Sequence, residues 1–255
     1  MMRGLAMLAA FTALAVAACG GSSGSGGAKT DLTVSAAASL KSAFTRYGSQ
    51  FAPASVRFSF GGSDVLAAQI EQGVKPDVFA SANLKLPEML YARGLASKPV
   101  TFAANKLVLA VPADSTKVKS LADVEKPGRT IAIGSPTVPI GAYTRTVLAK
   151  LGPAGSAKVL ANVRSEEPDV SGIVGKLSEG AVDGGFTYIT DVIATHGALR
   201  AIALPGSLQP VVAYGVSIVK GSPHAAQAQQ FISGLLSGQG QSDLSQAGFL
   251  PPPAK

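Results

Sequence analysis

The chain has 255 residues, of which 47% are hydrophobic and 15% charged, with a formal net charge of +7. This length allows one large domain or two lobes of ordinary size. The basic residues are scattered and carry no interleaved aromatic residues, so nucleic acid is not an expected partner. With one cysteine, Cys19, no internal disulfide can form, and burial of apolar side chains must stabilise the fold.

Residues 1–18 have the pattern of a secretory signal peptide. A positive charge precedes the apolar run Leu5–Val16, which is too short to span a bilayer. Small residues then lead into Cys19, which resembles the lipobox of bacterial lipoproteins, in which the cysteine is acylated. The Gly- and Ser-rich residues 19–29 would form a flexible tether. We predict a lipid anchor at Cys19 on the extracytoplasmic side of the cell membrane; an ordinary signal peptide is the alternative.

The segment Leu32–Leu40 begins the folded part of the chain. Apolar and polar residues alternate over 32–37, which predicts a half-buried strand. Ser39 directly precedes an amphipathic helix, whose apolar positions are Leu40, Phe44, Tyr47 and Phe51. We expect Ser39 to be the N-cap of that helix. Its hydroxyl would lie at the positive end of the helix, where anions bind readily.

Strands and helices alternate along most of the remaining sequence. Apolar runs predict further strands at 56–60, 78–80, 106–111, 130–133, 185–189 and 212–218. Helical spacing of apolar residues predicts helices between most of these strands and another over 228–236. The tail, with Phe249 and three prolines, is expected to pack as an irregular cover. This alternation is typical of parallel sheets with helices on both faces.

Two successive α/β units suggest two lobes with a cleft between them. We predict that lobe 1 contains residues 30–108 and 212–255, and that lobe 2 contains 109–211. Strands near 106–111 and 211–219 would cross between the lobes and act as a hinge. A cleft between lobes is a common ligand site.

Four junctions that precede helices share one chemical property. They are Ser39, Ser63, the turn at residues 139–141 and the turn at 168–170. Each presents unpaired backbone amides, with or without a hydroxyl, at the N-terminus of a helix. If they face one cleft, they form a cage of neutral donors with positive potential. Such a cage suits an oxyanion that carries no proton to donate.

Several motifs, in order, resemble the molybdate-binding proteins of bacterial ABC importers. They are AAASL at 36–40, FGGSDVLAAQI at 60–70, GVKPDVFASAN at 73–83, GSPTVPIGAY at 134–143 and TYITD at 187–191. The resemblance implies a two-lobed type II periplasmic-binding fold, each lobe a mixed sheet flanked by helices. It also implies a monomer that closes on molybdate or tungstate and delivers it to a membrane permease. No cofactor and no metal beyond the molybdenum of the ligand are implied.

Five ligand-binding residues follow from this resemblance. Ser39 and Ser63 would each give a hydroxyl, Ile140 and Val170 would each give a backbone amide, and Tyr188 would donate its phenolic O–H to an oxo group. None of the five is catalytic.

Three acidic or polar positions near these residues need separate predictions. Asp191 follows Tyr188 in the motif and is expected to cap a helix without touching the ligand. Asp64 stands where many relatives have serine or threonine, and we expect its carboxylate to face solvent at the start of a helix. Ser171 stands where relatives often have a basic residue, which leaves the orientation of that turn open.

Two other functions compete with molybdate binding. A binding protein for another tetrahedral oxyanion, such as sulfate, would need the same kind of donor cage. An anchored hydrolase would need a base beside a serine, and only His196 and His224 are available. Neither adjoins a G-x-S-x-G motif, so the sequence favours a binding protein over an enzyme.

Overall fold

The computed structural model describes residues 30–253. The predicted signal peptide, Cys19 and the tether lie outside the described residues. Within 30–253, no helix has the length and apolar character needed to cross a membrane.

Ten strands and nine α-helices alternate along the described chain. The strands are β1 Asp31–Ala37, β2 Ser55–Gly61, β3 Val78–Ser81, β4 Val100–Asn105, β5 Leu107–Pro112, β6 Ile131–Gly134, β7 Val163–Glu167, β8 Gly184–Tyr188, β9 Leu199–Ala203 and β10 Val212–Ile218. The helices are α1 Lys41–Gln50, α2 Ser63–Glu71, α3 Lys85–Ala92, α4 Pro139–Lys150, α5 Gly152–Ala161, α6 Val170–Ser178, α7 Ile189–Ile193, α8 Ala225–Ser237 and α9 Gln239–Gln246.

The strands form two five-stranded mixed sheets. The first has the order β2-β1-β3-β10-β4 and the second the order β7-β6-β8-β5-β9. In the first sheet β1 is parallel to β2 and β3, whereas β10 is antiparallel to β3 and β4. In the second sheet β6 is parallel to β7 and β8, whereas β5 is antiparallel to β8 and β9. The predicted α/β class with mixed sheets is confirmed.

The chain passes between the sheets at two places. Strand β4 belongs to the first sheet and β5 to the second, so the first crossing is at Lys106. The chain returns through residues 204–211, between β9 and β10. The two strands expected to cross between lobes are therefore each confined to one sheet. The exact lobe boundaries stay a prediction.

Three elements were absent from the sequence-based prediction. Strand β4 ends in small residues of low strand propensity, and β9 lies at a sheet edge without a clean alternation of buried residues. Helix α9 is predominantly polar and so has no apolar stripe. In the tail, Phe249 packs edge-on against Tyr214, with ring centroids 5.3 Å apart. Leu250 exchanges backbone hydrogen bonds of 2.8 and 2.9 Å with Ala104, whereas the three prolines after it are exposed, so the expected cover is formed by Phe249 and Leu250.

Candidate functional site

A small cavity lies where loops from the two sheets meet. Its volume is about 20 Å³, somewhat more than one water molecule needs and far below the hundreds of Å³ typical of pockets for organic ligands. A compact ion is the kind of ligand that fits. All five residues predicted to bind an oxyanion line this cavity: Ser39, Ser63, Ile140, Val170 and Tyr188.

Ser63 presents its hydroxyl from the first residue of α2. The side chain is 1% exposed, and its Oγ accepts a hydrogen bond of 3.1 Å from the backbone N–H of Ala82. Because the oxygen already serves as an acceptor, the hydroxyl proton remains available for donation. The hydroxyl therefore fits the predicted role of a donor to an anion.

Tyr188 lies at the end of β8 and is 1% exposed. Its phenolic oxygen is buried and has no hydrogen-bond partner among residues 30–253. Buried tyrosine hydroxyls are normally paired, because leaving one unpaired costs free energy. Burial also raises the pKa of Tyr188 well above its ordinary value, so the phenol keeps the proton that it would donate.

The backbone of Tyr188 is fixed by Asp191. The Tyr188 N–H donates a hydrogen bond of 3.0 Å to Asp191 Oδ2, which caps the first turn of α7. This confirms the predicted capping by Asp191, although α7 begins before that residue. Burial raises the pKa of Asp191 to about 7.

Two helix N-termini provide backbone amides. At α4, Pro139 occupies the first helical position and has no N–H, so Ile140 carries the first available amide. At α6, Asp169 Oδ1 accepts hydrogen bonds from the amides of Ser171 and Gly172. Within residues 30–253 the amide of Val170 donates to no acceptor. The bonds to Asp169 fix the turn whose orientation Ser171 left open.

The predicted N-cap role of Ser39 is wrong. Ser39 lies inside a 3₁₀ turn, Ala38–Leu40, that leads into α1, and its hydroxyl makes no cap. Instead, Ser39 Oγ lies 2.9 Å from the phenolic oxygen of Tyr214 on β10. Tyr214 is fully buried and needs a partner for its hydroxyl, and Ser39 supplies it.

Sequence reasoning missed Tyr214 and its other neighbour, Asn105. Asn105 Nδ2 lies 3.4 Å from the Tyr214 hydroxyl and donates a bond of 2.9 Å to Thr190 Oγ1. The alternation along β10 identified Tyr214 only as an apolar position. A tyrosine in the middle of a buried strand was the available signal, because its hydroxyl requires a partner.

Asp64 does not have the predicted orientation. The residue is only partly exposed, and its Oδ1 is buried without a hydrogen-bond partner among the described residues. This oxygen packs back toward Gly62, 2.9 Å from the position that a Cβ on Gly62 would occupy. Asp64 does not line the cavity, so its carboxylate is not in direct contact with a bound ion there.

The cavity has no cationic wall. Among the described residues that line it, none is lysine, arginine or histidine, and Asp169 is the single acid. The helix N-termini of α2, α4 and α6 provide partial positive charge instead. Neutral donors of this kind can hold an anion without a counter-ion.

A larger groove of about 610 Å³ adjoins the cavity, and Ser39 lines both. Lys41 and Arg46 of α1 lie along this groove. The positive charge of these side chains favours the approach of an anion.

The two histidines do not form a catalytic arrangement. Asp77 accepts hydrogen bonds from the Ser222 hydroxyl, at 2.6 Å, and from the backbone N–H and the hydroxyl of Thr33. His224 Nδ1 lies 3.3 Å from Asp77 Oδ1. The carboxylate therefore stands between serine and histidine, whereas nucleophile activation needs the histidine in the middle. His196 lies exposed in a turn with φ of 50°. Residues 30–253 also contain no group of three potential metal ligands.

Comparison of the sequence with known proteins points to one family. The sequence model of the bacterial extracellular solute-binding proteins matches residues 32–250. The molybdate-binding protein ModA of Mycobacterium tuberculosis is 34% identical over 227 residues, which cover 87% of this chain and 85% of that protein.

Solved structures agree on the fold. The periplasmic molybdate-binding protein of Azotobacter vinelandii superposes with a TM-score of 0.77 at 26% identity, covering 87% of this chain and all of that one. The sulfate-binding protein SubI of Mycobacterium tuberculosis also gives 0.77, at 18% identity and 87% coverage of both chains. The same fold is thus found in a molybdate-binding and in a sulfate-binding protein.

Proposed function

The chain belongs to the bacterial extracellular solute-binding proteins, and we propose that it binds molybdate and delivers it to the permease of an ABC importer. Tungstate, which has the same charge and shape, is the expected second ligand. The chain acts as a binding protein and not as an enzyme, with no cofactor beyond the transported ion.

The unpaired hydroxyl of Tyr188 is the observation that carries this proposal. It is buried beside a cavity of ionic size that neutral donors surround. We assign Ser39, Ser63 and Tyr188 as hydroxyl donors and Ile140 and Val170 as amide donors to the oxygens of the ion. Preorganised donors stabilise a dianion well, because their dipoles need no rearrangement when it binds.

The donor set predicts which anions are rejected. Hydrogen phosphate carries a proton that needs an acceptor, and none of the five assigned donor groups is placed to accept it. Sulfate has the charge of molybdate and no proton, but it is smaller, so it would make longer contacts with the same donors. Sulfate is the second candidate ligand, and the fold shared with a sulfate-binding protein is the observation that favours it.

Location outside the cytoplasm follows from the family, and the anchor is a further proposal. We infer that signal peptidase removes residues 1–18 and that Cys19 is acylated, which would hold a monomer near its permease. Mass spectrometry of the purified membrane fraction tests the anchor: a lipid adduct on Cys19 supports it, and an unmodified cysteine contradicts it.

Thermal unfolding with added anions tests the ligand. A ligand that binds only the folded state raises the midpoint in proportion to the logarithm of its concentration over Kd. Molybdate and tungstate at micromolar concentration should give large shifts, and sulfate and phosphate small ones. Equal shifts with sulfate would replace the proposal with a general oxyanion binder.

A further inference from the structure

A chain of hydrogen bonds connects the crossing between the sheets with the ligand cavity. It begins at Asn105, the last residue of β4, passes through the hydroxyl of Tyr214 on β10, and ends at Ser39. All three side chains are buried. Since each atom in such a chain must be paired as donor or acceptor, the direction of every bond can be worked out.

The first bond fixes the orientation of the Asn105 amide. The backbone N–H of Lys106 donates to Asn105 Oδ1 at 2.9 Å, and a backbone N–H can only donate. The NH₂ group of Asn105 must therefore face Thr190 and Tyr214, 2.9 and 3.4 Å away. Tyr214 consequently receives a hydrogen bond from Asn105.

The second bond then has one direction. The phenolic oxygen of Tyr214 accepts from Asn105, and among residues 30–253 its own proton has one acceptor in reach, Ser39 Oγ at 2.9 Å. Burial keeps the pKa of Tyr214 well above its ordinary value, so the proton is present. Ser39 thus accepts from Tyr214 and directs its own proton elsewhere, toward the cavity or the adjoining groove, both of which it lines.

We propose that Tyr214, oriented by Asn105, is a specificity-determining positioning residue that turns the Ser39 proton toward the ligand. This inference rests on the proposed binding of molybdate. A serine without such a partner could rotate its hydroxyl and accept a proton from a ligand. With Tyr214 in place one of the two lone pairs of the Ser39 oxygen is already used and its proton is free for the ligand, so a protonated oxyanion such as hydrogen phosphate meets a donor where its O–H needs an acceptor.

The Tyr214→Phe variant tests this relay of hydrogen bonds from Asn105 through Tyr214 to Ser39. It keeps the ring and its edge-on contact with Tyr188, whose centroid is 5.9 Å away, and removes only the hydroxyl. Calorimetric titrations at pH 8 with molybdate and with inorganic phosphate give the ratio of the two dissociation constants. We expect molybdate to bind several-fold more weakly and phosphate to bind more tightly, so that discrimination falls about tenfold or more.

Two controls separate the relay from simple loosening of the site. Ser39→Ala removes donor and acceptor together, so it should weaken molybdate binding without any gain for phosphate. Tyr47→Phe removes another buried hydroxyl, which donates to the Phe231 carbonyl at 3.1 Å and does not line the cavity, so it should leave discrimination unchanged. A structural effect of Tyr214→Phe would resemble Ser39→Ala and would not improve phosphate binding.

A second variant tests the same hydrogen bonds if Tyr214→Phe fails to fold. Asn105→Asp keeps the shape and the acceptor for Lys106, but its other oxygen would accept from Tyr214 and reverse the bond. It should relax discrimination as Tyr214→Phe does. Unchanged discrimination in either folded variant overturns the relay while the proposed function stands; failure of the wild-type protein to bind molybdate overturns both.

Discussion

Gly62 and Pro168 come from different sheets and are in backbone contact beside the cavity. A Cβ placed on Gly62 would lie 2.5 Å from the carbonyl oxygen of Pro168. Gly62 follows β2 and directly precedes the donor Ser63, while Pro168 follows β7 and lies two residues before Val170. Glycine at position 62 therefore lets the two donor-bearing loops approach each other.

Gly62→Ala should therefore impair binding more than folding. The two loops would have to separate, which moves Ser63 away from Val170 and should weaken molybdate binding about tenfold or more, since misplacement on the order of 1 Å is costly at preorganised sites. Titration calorimetry measures the affinity, and thermal unfolding without ligand measures the fold. Gly61→Ala is the control, because its Cβ would meet only Leu66 at 3.9 Å. Wild-type affinity in Gly62→Ala would disprove the role of this contact.

Tyr188→Phe should weaken binding without weakening the fold. The hydroxyl has no protein partner among the described residues, so its removal costs the unliganded protein no hydrogen bond. A hydrogen bond to a charged group contributes about 1.5–3 kcal/mol, which corresponds to a loss of affinity on the order of 10–100-fold. The unfolding midpoint without ligand should stay unchanged or rise. A variant that binds molybdate as tightly as wild type would remove Tyr188 from the site.

The turn that presents Ile140 depends on Gly141. A Cβ at Gly141 would lie 1.8 Å from the carbonyl oxygen of Ser135 and 2.5 Å from that of Gly134. Both neighbours are backbone atoms, so Gly141→Ala should destabilise the protein by roughly 3 kcal/mol or more in urea unfolding. Gly175→Ala in α6 is the matched control, since no atom outside the local helix backbone lies within 4 Å of its Cβ. Helix propensity predicts that the control gains about 0.5–1 kcal/mol. Equal stability of the two variants would contradict the tight turn.

Asp191 should make the fold less stable as pH rises toward 8. Burial raises the pKa of its carboxyl from 3.8 to about 7, so the folded state holds this proton to higher pH than the unfolded state does. Its contribution is complete below pH 3.8 and is lost as pH rises through 7, and the part lost between pH 5 and pH 8 is on the order of 1–3 kcal/mol. Urea unfolding at pH 5 and pH 8 measures the loss.

Asp191→Asn should remove most of that difference, because the amide oxygen can still accept from the Tyr188 N–H. Asp183→Asn provides the comparison, since bonds from Lys117 and Thr130 outweigh its desolvation and lower the pKa of Asp183. It titrates below pH 3.8 and should leave the difference between pH 5 and pH 8 intact. An unchanged difference in Asp191→Asn would rule out this carboxyl as its source.

Local pattern was sufficient for much of the fold. The residue types along β1 and β10 alternate and α6 carries a regular apolar stripe, so each was predicted close to its observed bounds, although nearly every position of β10 is buried. Strand β9 was missed because it lies at a sheet edge, where pairing with β5 rather than its own pattern holds it in place.

Some of the site residues could be predicted from the local sequence, whereas others depend on contacts between residues far apart in the chain. The turns that carry Ile140 and Val170 are visible as helix starts, and the motif resemblance assigned both to ligand binding. The partner of Ser39 was not predictable, because Tyr214 lies 175 residues away and meets it only through the pairing of β10 in the first sheet. Local reasoning therefore gave Ser39 the commonest role of a serine before a helix, which was wrong.

Calorimetric titration of the wild-type protein with molybdate and with sulfate tests the central claim most directly. A cage formed by Ser39, Ser63, Ile140, Val170 and Tyr188 predicts one molybdate per chain with a dissociation constant in the micromolar range or below. Sulfate should bind on the order of a hundredfold more weakly, a difference of about 2.7 kcal/mol. The absence of molybdate binding, or equal affinity for the two anions, would contradict the account.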